Sequence, residues 1–145
     1  MGTGYVMKCP RCDYEVTGYL GIGFMYPQVY EETKKKMLQG KFGKEWKEFF
    51  EEYPLGAVNA SSVWAVCEDC GEIGLVKDMS LYTNKSEDMK EAVWFSGNDS
   101  NYKLYKKFQH KCGSCKGKMH ITKTDELKCP KCKVKLEEAE IIMWD

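Results

Sequence analysis

The sequence has little arginine, little histidine and no long apolar run. Its 145 residues include one arginine, Arg11, and two histidines, His110 and His120. No stretch approaches the roughly 20 consecutive apolar residues that a membrane-spanning helix needs. Arginine is the side chain that best reads the edges of DNA bases, and histidine is the commonest ligand of catalytic zinc. The absence of a long apolar run predicts no membrane insertion, and the scarcity of arginine argues against the reading of DNA bases. The chain also has no clear Ser/His/Asp set, and we expect no enzyme.

The first residues also lack an export signal. Residues 1–6 contain no basic segment followed by an apolar one. We therefore expect a cytoplasmic protein. A reducing compartment keeps cysteines as thiols, which favours metal ligation over disulfides.

What the sequence does contain is eight cysteines, all of them in Cys-x-x-Cys pairs: Cys9 and Cys12, Cys67 and Cys70, Cys112 and Cys115, Cys129 and Cys132. In such a pair both sulfurs reach one ion from a single tight turn, and two turns complete a tetrahedral shell. The sequence therefore predicts two four-thiolate sites, with two zinc ions as the expected cofactors.

The spacing of the pairs predicts how they combine. Only residues 116–128 separate the third pair from the fourth, which is enough for one hairpin. We expect these two pairs to share one ion, with the first two sharing the other and a cross-braced arrangement as the alternative. The predicted ligands are Cys9, Cys12, Cys67 and Cys70 in one site, and Cys112, Cys115, Cys129 and Cys132 in the other.

The long segment between Cys12 and Cys67 reads as an irregular glycine-rich loop followed by two helices. Glycines 18, 21 and 23 predict a loop over residues 18–27. Pro27 and Gly40 bound the first helix, and residues 44–53 form the second. The second helix carries aromatic residues in one stripe, which we expect to pack on the first zinc site: Trp46, Phe49, Phe50 and Tyr53.

Around the cysteine pairs the pattern changes to short strands. Residues 63–66, 73–76, 119–122, 134–136 and 141–144 read as strands, and residues 87–94 as a short helix. Residues 96–101 have a loop composition. The predicted fold class is α+β: two small antiparallel β lobes, residues 1–96 with a helical insertion over about 27–53, and residues 97–145.

The pairs Cys-Pro-Arg-Cys, Cys-Glu-Asp-Cys, Cys-Gly-Ser-Cys and Cys-Pro-Lys-Cys resemble the knuckles of the zinc-ribbon, or rubredoxin-like, superfamily. The resemblance covers residues 112–132 well, and of residues 5–76 only the two ends. It implies two knuckles on adjacent hairpins that close over one metal. Four such motifs are also similar to the cysteine-rich domain of Hsp40-type chaperones, where outer and inner pairs share metals. The Gly-x-Gly motifs and even spacings of that family are absent.

Two other functions are known for four-thiolate sites of this kind. Rubredoxins bind iron in the same geometry and carry one electron, so an iron electron carrier is one alternative cofactor and function. Thiol redox sensing with zinc release is another. Four thiolates complete a metal shell, so His110 and His120 are expected to be surface residues or neighbours of the ligands.

Charge is unevenly distributed along the chain. Residues 1–100 carry 11 basic and 16 acidic side chains, whereas residues 101–145 carry 11 lysines and 6 acids. A basic segment with interleaved aromatics favours nucleic-acid binding. The residues concerned are Lys103, Lys106, Lys107, Lys116, Lys118 and Lys123, with Tyr102, Tyr105 and Phe108 for stacking.

The charge of the predicted metal sites weakens the nucleic-acid interpretation. A zinc ion held by four thiolates has a formal charge of about −2, and nearby lysines offset it. The preferred function is a non-enzymatic zinc protein, with two structural sites, that acts as an adaptor or accessory subunit for another protein. A nucleic-acid-binding ribbon is the first alternative.

Overall fold

The computed structural model describes residues 2–23, 26–85, 95 and 101–144, and these form two compact units. Unit 1 consists of residues 2–23, 62–78 and 109–144, and unit 2 of residues 26–61, 79–85, 95 and 101–108. Each unit is built from separate segments, unlike the predicted lobes 1–96 and 97–145. The predicted boundary and the predicted helix 87–94 lie outside the described residues.

Within the described residues the elements alternate between short strands and two helices. In chain order they are β1 (Gly2–Lys8), β2 (Glu15–Gly21), α1 (Tyr26–Leu38), α2 (Lys44–Glu52), β3 (Ala57–Val58), β4 (Ser62–Cys67), β5 (Ile73–Lys77), β6 (Leu81–Asn84), β7 (Tyr102–Lys106), β8 (His110–Lys111), β9 (Lys118–Thr122), a short 3-10 helix (Thr124–Glu126) and β10 (Glu137–Trp144). The two helices predicted within the described residues are confirmed, and the mixed, mostly antiparallel content agrees with an α+β class.

Unit 1 contains a seven-stranded sheet among the described residues. Its strand order is β10-β1-β2-β4-β9-β8, with β5 on the other side of β4. β1 pairs antiparallel with both β2 and β10, so the first described strand lies against the last one. β4 pairs with β5 on one side and with β9 on the other, so strands from the middle of the chain belong to the same sheet as β1 and β10.

The core of unit 1 is centred on Trp64. Its side chain is 1% exposed, and its Nε1 donates a hydrogen bond to Thr124 Oγ1 at 3.0 Å. The indole lies directly against the backbone of Gly18, where a Cβ would be 2.3 Å from Trp64 Cη2. Gly18 lies within β2, so the predicted irregular loop begins too early. Gly18 makes room for an aromatic ring instead of forming a turn, whereas Gly21, at the end of β2, has a positive φ of 85°.

Unit 2 contains both helices and the three-stranded sheet β3-β6-β7. α1 buries Tyr26, Tyr30, Thr33 and Met37 at helical spacing, because this is the face the apolar side chains share. Two tyrosine hydroxyls serve buried backbone groups: Val58 donates to Tyr30 and Ala60 donates to Tyr26, each at 3.3 Å. Burial raises the pKa of Tyr26 to about 12.

The aromatic stripe of α2 packs inside unit 2. Trp46 and Phe49 are buried, and Trp46 Nε1 donates to the carbonyl of Met79 at 2.8 Å. Trp46 contacts Phe108 edge to face with ring centroids 5.2 Å apart, while Phe49 meets Tyr105 at 5.8 Å. These contacts correct the expectation that the stripe packs on a cysteine site, since the partners belong to β7 and its neighbours. In the described residues no helix is long and apolar enough to cross a membrane.

Candidate metal centres

The four Cys-x-x-Cys segments form turns of one type. In each turn the N–H of the first cysteine donates to the carbonyl five residues later, at 2.8–2.9 Å. The donor and acceptor residues are Cys9 and Tyr14, Cys67 and Glu72, Cys112 and Gly117, and Cys129 and Val134. We call these turns knuckles 1 to 4.

Each knuckle also directs a backbone N–H at the sulfur of its first cysteine. The four N–Sγ distances are all 3.4 Å, and the donors are Arg11, Cys70, Ser114 and Cys132. An N–H aimed at sulfur stabilises the thiolate relative to the thiol. The knuckle backbone therefore prepares its first sulfur to bind a cation.

Knuckles 1 and 4 converge in the first centre, site 1. Its ligand atoms are the sulfurs of Cys9, Cys12, Cys129 and Cys132, all within 4.8 Å of one another. The Sγ atoms of Cys12 and Cys129 are 3.6 Å apart, and the cysteines are free thiols.

Knuckles 2 and 3 form the second centre, site 2, from Cys67, Cys70, Cys112 and Cys115. Cys67 and Cys115 have sulfurs 3.4 Å apart, and Cys70 and Cys112 have sulfurs 3.7 Å apart. A tetrahedral ion with metal–sulfur bonds of about 2.3 Å requires sulfurs about 3.8 Å apart. The donor set and its spacing therefore fit a four-coordinate metal at both sites.

This grouping corrects the predicted one. The first pair lies with the fourth and the second with the third, instead of the first with the second and the third with the fourth. The reason is strand register. Lys8, at the end of β1, lies opposite Glu137, so the segment preceding β10 brings knuckle 4 to knuckle 1. Likewise Cys67 at the end of β4 lies opposite Met119, which places knuckle 3 beside knuckle 2.

The two sites differ in burial. In site 1, Cys9 and Cys129 are buried and the other two sulfurs are on half-buried residues. The site packs within a core cluster that includes Trp64, Leu127 and Leu136. In site 2, Cys70 and Cys115 are both exposed, and the supporting cluster is small. Solvent therefore reaches site 2 much more readily than site 1.

In each site one cysteine has a lowered pKa and another has a raised pKa. A backbone hydrogen bond from Cys70 lowers the pKa of Cys67 to about 7. The Gly117 backbone hydrogen bond lowers the pKa of Cys115, but the sulfurs of Cys67 and Cys70 outweigh it and raise that pKa to about 12. Site 1 shows the same contrast: the pKa is about 7 for Cys129 and about 12 for Cys132. A divalent cation relieves this crowding of negative charge, and its binding must displace protons.

Site 2 has an acidic neighbour that the sequence did not reveal. Glu72 Oε2 accepts hydrogen bonds from Cys112 Sγ at 3.2 Å and from Ser114 Oγ at 2.8 Å. These bonds lower the pKa of Glu72, the Cys112 contact most. The Glu72 carbonyl accepts the hydrogen bond that closes knuckle 2. Its side chain reaches Cys112 because knuckles 2 and 3 lie together in site 2. Its carboxylate faces the sulfur that would be a thiolate on a bound metal.

We expect Glu72→Gln to slow loss of metal from site 2 by about tenfold, because an amide removes the like charge and can donate a hydrogen bond to the thiolate. Dissociation into a chromogenic chelator measures the rate. Glu68→Gln is the matched control, since Glu68 faces His120 at 3.9 Å and no sulfur. Equal rates in the two variants would show that Glu72 does not act on the metal.

Two knuckles hold lysine in a left-handed conformation at the position after the second cysteine. Lys116 has φ of 65° and Lys133 of 62°, while knuckle 2 has Gly71 there with φ of 78°. A non-glycine residue in this region costs about 1 kcal/mol or more, which glycine avoids.

Lys133→Gly should therefore stabilise the metal-loaded protein by about 0.5 kcal/mol, because the relief of strain exceeds the added entropy of the unfolded chain. The midpoint of urea unfolding measures this. Lys131→Gly, in the same knuckle without a positive φ, should destabilise the protein by a similar amount. A loss of stability in both variants would contradict the argument from backbone strain.

The histidines lie beside the centres and ligate neither. His110 is buried, with Nε2 3.0 Å from the carbonyl oxygen of Asp78, and His120 is half-exposed near Glu68. Neither belongs to the two cysteine clusters of the described residues.

The residues proposed for nucleic-acid binding are divided between the units. Tyr102 is buried, Phe108 packs on Trp46, and Lys106 forms an ion pair with Glu45, all within unit 2. Lys116, Lys118 and Lys123 belong to unit 1. Of the three aromatic candidates, Tyr105 is the most exposed, at 48%, and its ring packs against those of Phe49 and Tyr53.

Comparison with known proteins gave no match to a protein family, to a curated protein or to a solved structure.

Proposed function

We propose that this protein binds two zinc ions in structural four-cysteine sites and acts as a non-enzymatic adaptor or accessory subunit for another protein. The observation that supports it best is the convergence of eight thiols into two clusters whose sulfur spacing suits a tetrahedral ion. Because each ion would have four protein sulfurs, no coordination position is reserved for a substrate or water.

The hairpins around site 1 and site 2 support a zinc-ribbon-like interpretation. Knuckle 1 joins β1 to β2, and knuckle 2 joins β4 to β5, so each is the turn of an antiparallel hairpin. In both sites a second knuckle closes over the first, as the superfamily resemblance implies.

Metal analysis tests the cofactor. The native protein should contain two zinc ions per chain and show no strong visible absorption. Intense thiolate-to-iron bands would instead establish the iron alternative, because the same four-sulfur geometry accommodates either metal.

The adaptor role is supported by exposed apolar side chains on unit 1 that its own core leaves uncovered, chiefly Ile141 and Met143. Purification of the native protein, cross-linked in cells, tests this role. We expect one protein partner at fixed stoichiometry in a reducing compartment. A protein that purifies alone under these conditions would refute the adaptor proposal.

Nucleic-acid binding remains the second candidate because of two cross-strand lysine pairs. Lys111 lies opposite Lys118, and Lys128 opposite Lys135, with all four side chains exposed. Like charges directly opposite each other repel, so a polyanion bound there would reduce the repulsion between the paired lysines. Electrophoretic shifts with single- and double-stranded oligonucleotides at increasing salt test this candidate, and absence of binding at low salt would remove it.

A further inference from the structure

β10 is a long strand at the edge of the unit 1 sheet. It has eight residues and pairs with β1 on one side, and among the described residues no strand pairs with its other side. Its outer backbone groups are therefore available to an added strand, the arrangement by which extended peptides dock on sheets.

One face of β10 carries two exposed apolar side chains. Ile141 is 54% exposed and Met143 is 68% exposed, and they lie opposite Tyr5 and Thr3. Partners in an antiparallel pair point to the same face, so Ile141, Met143 and Tyr5 share one face. On an edge that no described strand covers, these two side chains form the apolar part of a candidate docking surface.

A cavity of about 390 Å³ opens on this same face. Tyr5, Met7 and Leu136 form its apolar lining, and Asp125, Lys135 and Glu138 are its charged residues. Glu138 lies opposite Met7 beyond the bulge in β1–β10 pairing, so it stands on the face shared by Ile141 and Met143. A strand added to β10 would direct alternate side chains along this face towards the cavity.

The charge of β10 selects the occupant. Its first half carries Glu137, Glu138 and Glu140, all exposed, and none of these carboxylates forms an ion pair with a described residue. Lysine or arginine opposite a glutamate stabilises a strand pair, whereas a like charge opposes it.

A second copy of β10 is a poor occupant. Antiparallel pairing over the whole strand would place Glu138 opposite Met143 and Glu140 opposite Ile141, and parallel in-register pairing would place each glutamate opposite itself. Charged edge strands of this kind prevent association between copies.

We propose that β10 binds an extended segment of a partner protein that is basic opposite Glu138 and Glu140 and apolar opposite Ile141 and Met143. This inference rests on the proposed adaptor function and names the surface that performs it. The added strand completes the edge of the sheet, places its cationic side chains beside Glu138 and Glu140, and covers the two exposed apolar side chains.

Fluorescent synthetic peptides test the proposal on the intact, zinc-loaded chain. The probes are peptides of about eight residues in which one half consists of valine and isoleucine and the other half contains lysine. The two halves are placed in either order, so that the peptide can match β10 as a parallel or an antiparallel strand. Glutamate replaces lysine in the control peptides. We expect saturable binding of one lysine peptide by fluorescence anisotropy. The double variant Ile141→Lys/Met143→Lys should weaken it by about tenfold or more, because lysine at these two positions removes the apolar contacts with the peptide and adds a charge of the same sign as the peptide's lysines.

Two further variants make the outcome specific. Glu138→Lys/Glu140→Lys should reverse the preference, so that the glutamate peptide binds better. Ile121→Lys is the matched control: it is 43% exposed on β9 of the same sheet and should leave binding unchanged. The altered side chains are exposed, and near-ultraviolet circular dichroism verifies that each variant is folded.

Absence of saturable binding, or binding insensitive to the β10 variants, would overturn the proposal. So would a dimer in sedimentation analysis that Ile141→Lys/Met143→Lys dissociates, because the occupant would then be a second copy. If a stoichiometric partner is found in cells while the peptides fail, the adaptor function stands and this surface assignment is wrong. If the peptides bind as expected but the native protein has no partner, the adaptor function is wrong.

Discussion

Chelation of the zinc-loaded protein is expected to proceed in two steps, with the ion of site 2 lost first. Cys70 and Cys115 are exposed and Glu72 faces Cys112, so a chelator can reach site 2 and compete for its sulfurs. Site 1 is held within the Trp64 core cluster. We expect the rates of zinc loss from the two sites to differ by about a hundredfold. Residues that contact metal ligands change metal affinity by up to about this factor.

Loss of the second ion should unfold unit 1. Structural zinc contributes on the order of 10 kcal/mol or more to the folding of small domains, and site 1 joins β1 to β10 at one edge of the sheet. Zinc release is followed by a chromogenic indicator, and the fold by near-ultraviolet circular dichroism, to which the buried Trp64 contributes.

Paired cysteine variants assign the steps. Cys115→Ser should abolish the fast release and leave a folded protein that holds one ion, whereas Cys132→Ser should leave little folded protein. Simultaneous release of both ions, or loss of the slow step in Cys115→Ser, would contradict the inequality of the sites.

Gly18→Ala should destabilise unit 1 by about 3 kcal/mol, because an added Cβ overlaps a ring that cannot move. The Cβ would lie 2.3–2.8 Å from three atoms of the Trp64 ring. The indole is 1% exposed and tethered to Thr124 Oγ1, so displacement costs both packing and a hydrogen bond.

Urea unfolding of the metal-loaded protein measures this loss. Gly113→Ala is the control, since nothing lies within 4 Å of its added Cβ and its φ is not in the left-handed region. We expect the midpoint of Gly113→Ala to stay close to that of the wild type. A Gly18→Ala midpoint that matches it would mean that β2 and Trp64 separate easily.

The helices and the cysteine chemistry were predictable because their signals are local. Pro27 and Gly40 bound α1 to within one or two residues of its observed ends, and a Cys-x-x-Cys pair specifies its own turn. The aromatic stripe of α2 was recognised, but its partners were not, since they come from β7 and the residue after it.

The pairing of the cysteines was not predictable from spacing. The short segment between Cys115 and Cys129 does hold a strand, β9, but that strand pairs with β4 and separates the two knuckles. β1 gave no strong pattern, because it begins with Gly2, Thr3 and Gly4, and the apolar residues that follow are consecutive instead of alternating with polar ones. Its pairing with β10 is a long-range contact that determines site 1. Of the two family resemblances, only that to the Hsp40-type domain implies pairing of outer with outer and inner with inner motifs, and the Gly-x-Gly motifs and even spacings of that domain are absent.

The antiparallel contact between β1 and β10 has a consequence for the order of events during synthesis. Cys12 and Cys129 meet in site 1 although they are 117 residues apart, whereas Cys70 and Cys112 of site 2 are 42 residues apart. At a translation rate of about 5–20 residues per second, Cys12 waits roughly 6–23 s for its partner. A nascent chain can therefore assemble site 2 first, while the thiols of knuckle 1 stay open to oxidation or to a wrong metal until β10 leaves the ribosome.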